Sequence, residues 1–165
     1  LRWEIRHALK TAKVPAIWVT HDQDEALSVG DRVGVLNKGK LEQIATPELC
    51  FDQPESRFVA DFLGEASFLP ATFNQCCANT ELGTVPIRCQ PHLSHGDILI
   101  RPDDLSVKAV IESGNGHIEW QRFEGESRLY AVTLDSGHLV KVRASHENSI
   151  AIGDREVGGL VGLVG

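Results

Sequence analysis

The sequence predicts an α+β protein in two parts: a mixed helix-and-strand segment over residues 1–64 and a small all-β domain over 65–165. Two observations carry this. Up to Gly64, apolar residues recur at helical spacing between short apolar runs. Beyond Gly64 the helical spacing stops, and short β-like runs follow one another between turn signals such as Ser113-Gly114-Asn115-Gly116 and Asp135-Ser136-Gly137. A length of 165 residues fits one large domain or two small ones.

Residues 1–12 place Leu1, Ile5, Leu9 and Ala12 on one helical face, and Val14-Pro15 ends that helix. Ala16-Ile17-Trp18-Val19-Thr20 is apolar without alternation, which predicts a strand buried on both faces. Asp22-Gln23-Asp24-Glu25 reads as a capping box opening a second helix, with Gly30 as its stop. Val33–Leu36 is a further strand of the same two-sided apolar character. Asn37-Lys38-Gly39-Lys40 is its hairpin turn, and 41–45 is the returning strand. Thr46-Pro47-Glu48 starts a short helix with Pro in its first turn. Pro54 and Ser56 introduce another, with Phe58, Val59, Phe62 and Leu63 on one face. The expected strands of the β-domain are 68–73, 85–89, 98–101, 105–111, 117–123, 129–134, 139–143 and 156–164, a pattern suited to a small barrel or sandwich.

Composition excludes several classes. The net charge is -7, with 8 basic and 10 acidic residues in 1–64 and the remaining 8 and 13 in 65–165, so neither part has the basic stripe of a nucleic-acid binder. No apolar run approaches the roughly 20 residues needed to span a bilayer. The opening residues lack the apolar run of a secretory signal. With no Met at all, the sequence reads as a piece of a longer protein. Cys50, Cys76, Cys77 and Cys89 form no C-x-x-C pair and read as reduced thiols of a cytosolic protein.

The chemistry-bearing constellation is the expected strand 16–20, then Thr20-His21-Asp22, then the helix. Ligands of open α/β sheets sit beyond the carboxyl ends of strands, and a helix opening there favours anions. His21 is therefore placed to contact a phosphate. For an arbitrary sequence, a histidine satisfied at a strand end would be the better expectation.

The longer string shifts that balance. Trp18-Val19-Thr20-His21-Asp22-Gln23-Asp24-Glu25-Ala26-Leu27, then Asp31 to Ala45 with Asp31-Arg32-Val33-Gly34-Val35-Leu36-Asn37-Lys38-Gly39, then Thr46-Pro47-Glu48-Leu49, closely resembles the ATP-binding subunits of ABC transporters. The match runs from the switch-histidine loop to the end of the nucleotide-binding domain. Pro54 to Gly64 resembles the linker of importer ATPases that carry a C-terminal regulatory domain. Ile100-Arg101-Pro102-Asp103-Asp104-Leu105 resembles an element of that domain, the TOBE barrel.

The resemblance implies that residues 1–64 are the C-terminal remnant of a P-loop nucleotide-binding domain and 65–165 a TOBE-like, OB-like regulatory barrel. It implies a role for His21 at the γ-phosphate and attacking water, ATP and Mg2+ as cofactors of the longer protein, and none for this piece alone. It further implies transmembrane permease subunits as partners, a homodimer through the β-domain, and a peripheral place on the cytoplasmic face of the membrane. Phe62 to Ala71 looks most like ferric-iron importers, with polyamine, sulfate and phosphonate systems sharing much of the pattern. The phosphate-cradling G-x-x-x-x-G-K-[ST] loop is absent from these residues, Gly39-Lys40 and Gly116-His117 matching only fragments of it. The family's signature motif and its Asp-Glu strand are absent too.

Other candidates have plainer readings. His92-x-x-His95 lacks a third metal ligand and reads as a solvated loop. Asp103-Asp104 reads as a capping turn rather than an acid–base pair. Trp120, Phe123 and Tyr130 read as packing of a small barrel, and Glu124-Gly125-Glu126 as a hairpin tip. A second functional reading treats the chain as a stand-alone module that senses a small oxyanion or binds a partner through its β-domain.

Overall fold

The computed structural model describes residues 2–87, 93–110, 114–147, 150 and 158–163, the last of these through its backbone alone. The chain falls into two units, Leu1–Glu65 and Ala66–Gly165. Cys89, His92 and the outer ends of the strands expected at 85–89, 105–111 and 156–164 lie outside the described residues.

The first unit runs α1 (Arg2–Ala12), α2 (Gln23–Val29), β1 (Val33–Asn37), β2 (Lys40–Ala45), α3 (Pro47–Asp52) and α4 (Arg57–Leu63). Each helix after the first opens on a side-chain cap. Asp22 accepts from the Glu25 amide, Thr46 from that of Leu49 and Ser56 from that of Val59. β1 and β2 form an antiparallel hairpin around Lys38-Gly39. Both turn residues have positive φ (49° and 79°), the conformation that a two-residue turn needs to follow strand twist. The core gathers Val33, Val35, Cys50, Val59 and Leu63. The Cys50 thiol donates to the Val33 carbonyl at 3.7 Å, and burial pushes its pKa up, so it packs as a small apolar group.

Two strand expectations are corrected here. Residues 16–20 form no strand, and Ile17 and Val19 are 95% and 90% exposed. A strand buried on both faces needs a pairing neighbour for its backbone, and no described strand pairs with this segment. β1 is buried on one face only: Val33 and Val35 point into the core while Leu36 is exposed. The expected apolar face of α4 is also rearranged. Val59, Ala60 and Leu63 are buried, and Phe58 instead stacks on Phe62 with centroids 5.7 Å apart.

The second unit is all β apart from one 3₁₀ turn over Pro102–Asp104. Its strands are β3 (Ser67–Asn74), β4 (Cys77–Thr80), β5 (Gly83–Pro86), β6 (His95–Ile100), β7 (Leu105–Val110), β8 (Gly116–Phe123), β9 (Ser127–Leu134), β10 (Leu139–Ser145) and β11 (Gly158–Leu163). They make a four-stranded sheet in the order β5-β4-β3-β6 and a five-stranded sheet in the order β10-β9-β8-β11-β7, every pair antiparallel. Edge strands β7 and β10 approach each other, so the five-stranded sheet curls toward closure. Leu69, Tyr130, Val132, Val140 and Val142 centre the core. The Tyr130 hydroxyl is not stranded there: it accepts from the Ile150 amide at 3.2 Å. The strand expected at 85–89 is found earlier, at Gly83–Pro86, because it pairs with β4, a short polar strand that sequence patterning did not mark. Gly116 opens β8 where a Cβ would stand 2.7 Å from the Thr133 carbonyl, so only glycine fits that approach.

Leu69→Ala removes a fully buried side chain from this core and should cost about 2–5 kcal/mol. Leu139→Ala, at a half-exposed position, should cost about 0.5 kcal/mol or less. Urea denaturation midpoints at constant slope check both.

Candidate functional site

His21 sits in the turn between the irregular stretch 14–20 and α2. The Thr20 hydroxyl oxygen accepts from the Asp22 amide at 3.0 Å, closing a tight turn with His21 at its middle position. The same hydroxyl donates to Glu25 Oε2 at 2.7 Å, and the Trp18 indole N–H reaches that oxygen at 3.4 Å. Asp22 Oδ1 in turn accepts from the Glu25 amide at 3.0 Å. His21 is thus held by both chain neighbours. Its own side chain is exposed and makes no hydrogen bond or ion pair among the described residues. An imidazole with both nitrogens open can donate to an incoming phosphate oxygen.

Helix α1 supplies the counter-charges. Arg2 Nη2 donates to Asp22 Oδ2 at 2.7 Å, Arg2 Nε lies 3.6 Å from Glu25 Oε1, and Nη1 lies 4.0 Å from Asp24 Oδ2. One turn on, Arg6 donates to the Val29 carbonyl and pairs with Asp31 Oδ1 at 3.0 Å. A turn further, Lys10 Nζ meets Asp31 Oδ2 at 2.6 Å. Arg2, Arg6 and Lys10 therefore form a basic stripe that grips both ends of α2. Sequence reading followed the apolar face of this helix and missed the stripe, although its spacing of four was there to see. No described residue of α1 is fully buried, Ile5 and Leu9 being half-buried, and its ion pairs help attach it to α2.

The expectation that the opening of α2 favours an anion is corrected. Asp22 already takes the Glu25 amide, and Asp22, Asp24 and Glu25 place three carboxylates around the first turn. Their negative charge offsets the helix dipole there. What remains for an anion at this turn is the His21 side chain itself.

His95 is exposed and pairs its Nδ1 with Ser94 Oγ at 3.0 Å. Asp104 caps the 3₁₀ turn by accepting from the Arg101 amide at 2.8 Å, while Asp103 binds Arg143 at 2.6 Å. Glu124 at the β8–β9 tip accepts from Arg122 and Arg143, and the Arg122 hydrogen bond holds its carboxyl below the usual carboxylate range. Tyr130 is core, whereas Trp120 and Phe123 stay partly or mostly exposed, Phe123 beneath the Arg128 guanidinium. Gly39-Lys40 lies at the β1–β2 turn and Gly116-His117 opens β8, so neither has the strand–loop–helix setting of a phosphate loop. Cys50, Cys76 and Cys77 are free thiols. Among the described residues, no three His, Cys, Asp or Glu side chains are grouped to hold a metal ion.

Residues 98–160 match the TOBE domain family. Over 171 aligned residues the chain is 35% identical to the spermidine/putrescine import ATP-binding protein PotA of Nitratidesulfovibrio vulgaris, covering 92% of this chain and 46% of that protein. It is 32% identical to the Fe(3+) ions import ATP-binding protein FbpC of Mesorhizobium japonicum, covering 81% and 39%. It is 33% identical to the sulfate/thiosulfate import ATP-binding protein CysA of Xylella fastidiosa, covering 87% and 41%. The chain belongs to the family of ABC importer ATP-binding subunits. It matches their C-terminal part and spans less than half the length of these curated relatives. The first unit therefore corresponds to the tail of the family's P-loop ATPase domain and the second to its small β-domain.

The ion pairs of α1 make a testable pH signature. The Lys10 hydrogen bond, helped by the charges of Lys10 and Arg6, holds the Asp31 carboxyl below its usual pKa against a smaller desolvation effect. A depressed folded-state pKa contributes stability above the unfolded value, and that stability is lost as pH falls through the folded one. Lys10→Met should shift the Asp31 midpoint upward, measured by NMR titration of its carboxyl carbon.

Proposed function

We propose that this chain is part of the ATP-hydrolysing subunit of an ABC importer, coupling ATP binding and hydrolysis to solute uptake through transmembrane permease partners. The observation that carries the reading is the exposed His21, without a hydrogen bond or ion pair among the described residues, presented by a hydrogen-bonded Thr20-His21-Asp22 turn inside the family's V-T-H-D-x-x-E-A string. Phosphoryl transfer is chiefly positioning and charge stabilisation, and a fixed imidazole donor suits the γ-phosphate and its attacking water. ATP and Mg2+ would be held mainly by residues outside these 165, with His21 as the contact proposed from this chain. No described helix is long and apolar enough to cross a membrane; the proposed place, a peripheral one on the cytoplasmic face, follows from the importer-subunit reading.

For the solute we propose ferric iron, on the likeness of Phe62 to Ala71 to ferric-iron importers; FbpC of Mesorhizobium japonicum carries that printed activity, PotA and CysA others. Uptake of labelled ferric iron by the complete transporter, against spermidine and sulfate, separates the three. Pairing of two β-domains would accompany assembly, and light scattering of the chain at micromolar concentration tests it.

Two outcomes test the ATPase reading. The 165-residue chain alone should bind no ATP at micromolar concentration by calorimetry, since it lacks a phosphate loop. In the full-length subunit, His21→Ala should lower kcat by about 10²–10³-fold, the scale of one lost oriented donor, while KM for ATP changes little. A kcat within about twofold of the parent would remove His21 from the mechanism.

A further inference from the structure

We infer that Glu25, seated on Arg2, is a positioning residue that locks the turn presenting His21. The inference rests on the reading of His21 as a phosphate-facing donor and adds which residues fix its aim. Among the described residues no hydrogen bond or ion pair reaches the His21 side chain, so what the neighbours fix is the backbone position from which it projects. That backbone is tied on both sides to one residue: before it, the Thr20 hydroxyl donates to the Glu25 carboxylate at 2.7 Å, and after it, the Asp22 side chain accepts from the Glu25 backbone amide at 3.0 Å. The Thr20 oxygen also accepts from the Asp22 amide at 3.0 Å, so one hydroxyl links Glu25 to the turn itself.

The carboxylate is specific to this task. Glu25 Oε2 collects the Thr20 hydroxyl and the Trp18 indole N–H, while Oε1 faces Arg2 Nε at 3.6 Å. Gln would turn an N–H₂ toward donors on one side or the other, and Asp is one methylene short of Thr20. Glu25 also has a smaller exposed side-chain fraction than Asp22 or Asp24, 27% against 40% and 86%, which strengthens its charge-assisted bonds relative to theirs. A plain helix-capping role would need only Asp22. The bonds from Glu25 to Thr20 and Trp18 lie outside the helix and act on the segment that precedes His21.

The consequence is kinetic. A catalytic donor displaced by about 1 Å can lose on the order of 10²-fold in rate, so loosening the turn should cost turnover without affecting groups that bind the rest of the nucleotide. Backbone NMR on the 165-residue chain and steady-state kinetics on the full-length subunit carrying it test this together. In Glu25→Ala and Thr20→Val, the Asp22 amide should exchange about tenfold faster or more, and the His21 backbone order parameter should fall from near 0.85 toward 0.6. The same variants should lower kcat by about 10–100-fold with KM for ATP within about twofold. Thr20→Ser, which keeps the hydroxyl, should rescue both, and Glu25→Gln, the less disruptive change, should be intermediate. The double variant His21→Ala/Glu25→Ala should be no slower than His21→Ala alone, because Glu25 acts through His21.

An unchanged Asp22 amide in Thr20→Val overturns the clamp. Losses in His21→Ala and Glu25→Ala that multiply, or a Glu25→Ala subunit as fast as the parent when His21→Ala is slow, overturn the positioning role. Full turnover in His21→Ala itself sinks the ATPase reading and this role with it, whatever the NMR result, so the two failures are told apart.

Discussion

The bond between the Thr20 hydroxyl and Glu25 is the contact on which the site depends. Residues 14–20 have no strand partner among the described residues and no apolar cover, so neither sheet pairing nor burial orders the chain as it reaches His21. Order comes instead from α2, whose first turn reaches back through Glu25 to Thr20 and Trp18. Helix α2 is in turn fixed at both ends by the basic stripe of α1, and by packing of Ala26 and Leu27 against the small core. Isolated exposed ion pairs contribute little, typically under about 1 kcal/mol. Here they converge on one short helix, with Arg2 touching three acids and Asp31 touching two bases.

The two units solve stability differently. The β-domain has a closed set of buried side chains from both sheets, with β9 nearly inaccessible along its length. The first unit has a smaller core and leaves Val14, Ile17, Val19, Leu36 and Leu41 open to solvent. Exposed apolar surface of this kind is what a segment of a larger domain presents, in keeping with relatives more than twice as long as the aligned stretch.

Local signals in the sequence carried most of the fold. The Asn37–Lys40 turn, the caps Thr46 and Ser56, and the loss of helical spacing after Gly64 all act within a few residues, and the elements they announce are present. Non-local requirements were hidden. The run 16–20 has strand composition, but a strand also needs a neighbour, and composition does not reveal whether one exists. β4 is four residues of Cys-Ala-Asn-Thr, too short and polar for a periodic signal, and it exists because β3 and β5 flank it. At the site, the string around His21 was legible as a motif, but the roles of Arg2 and Glu25 were not. The role of Arg2 depends on α1 lying beside α2, a contact between residues 20 or more apart, and that of Glu25 on irregular backbone over 14–20 that folds back onto the first turn of α2.

The central claim is that His21 is presented to the γ-phosphate of a bound nucleotide. The most direct measurement is NMR of the imidazole nitrogens in ¹⁵N-histidine-labelled full-length subunit, with His21→Ala assigning the signal. On this account the His21 resonances move when a non-hydrolysable ATP analogue and Mg2+ are added and return toward their free positions with ADP. Resonances that stay fixed with both nucleotides, while the protein is shown to be saturated, would contradict it.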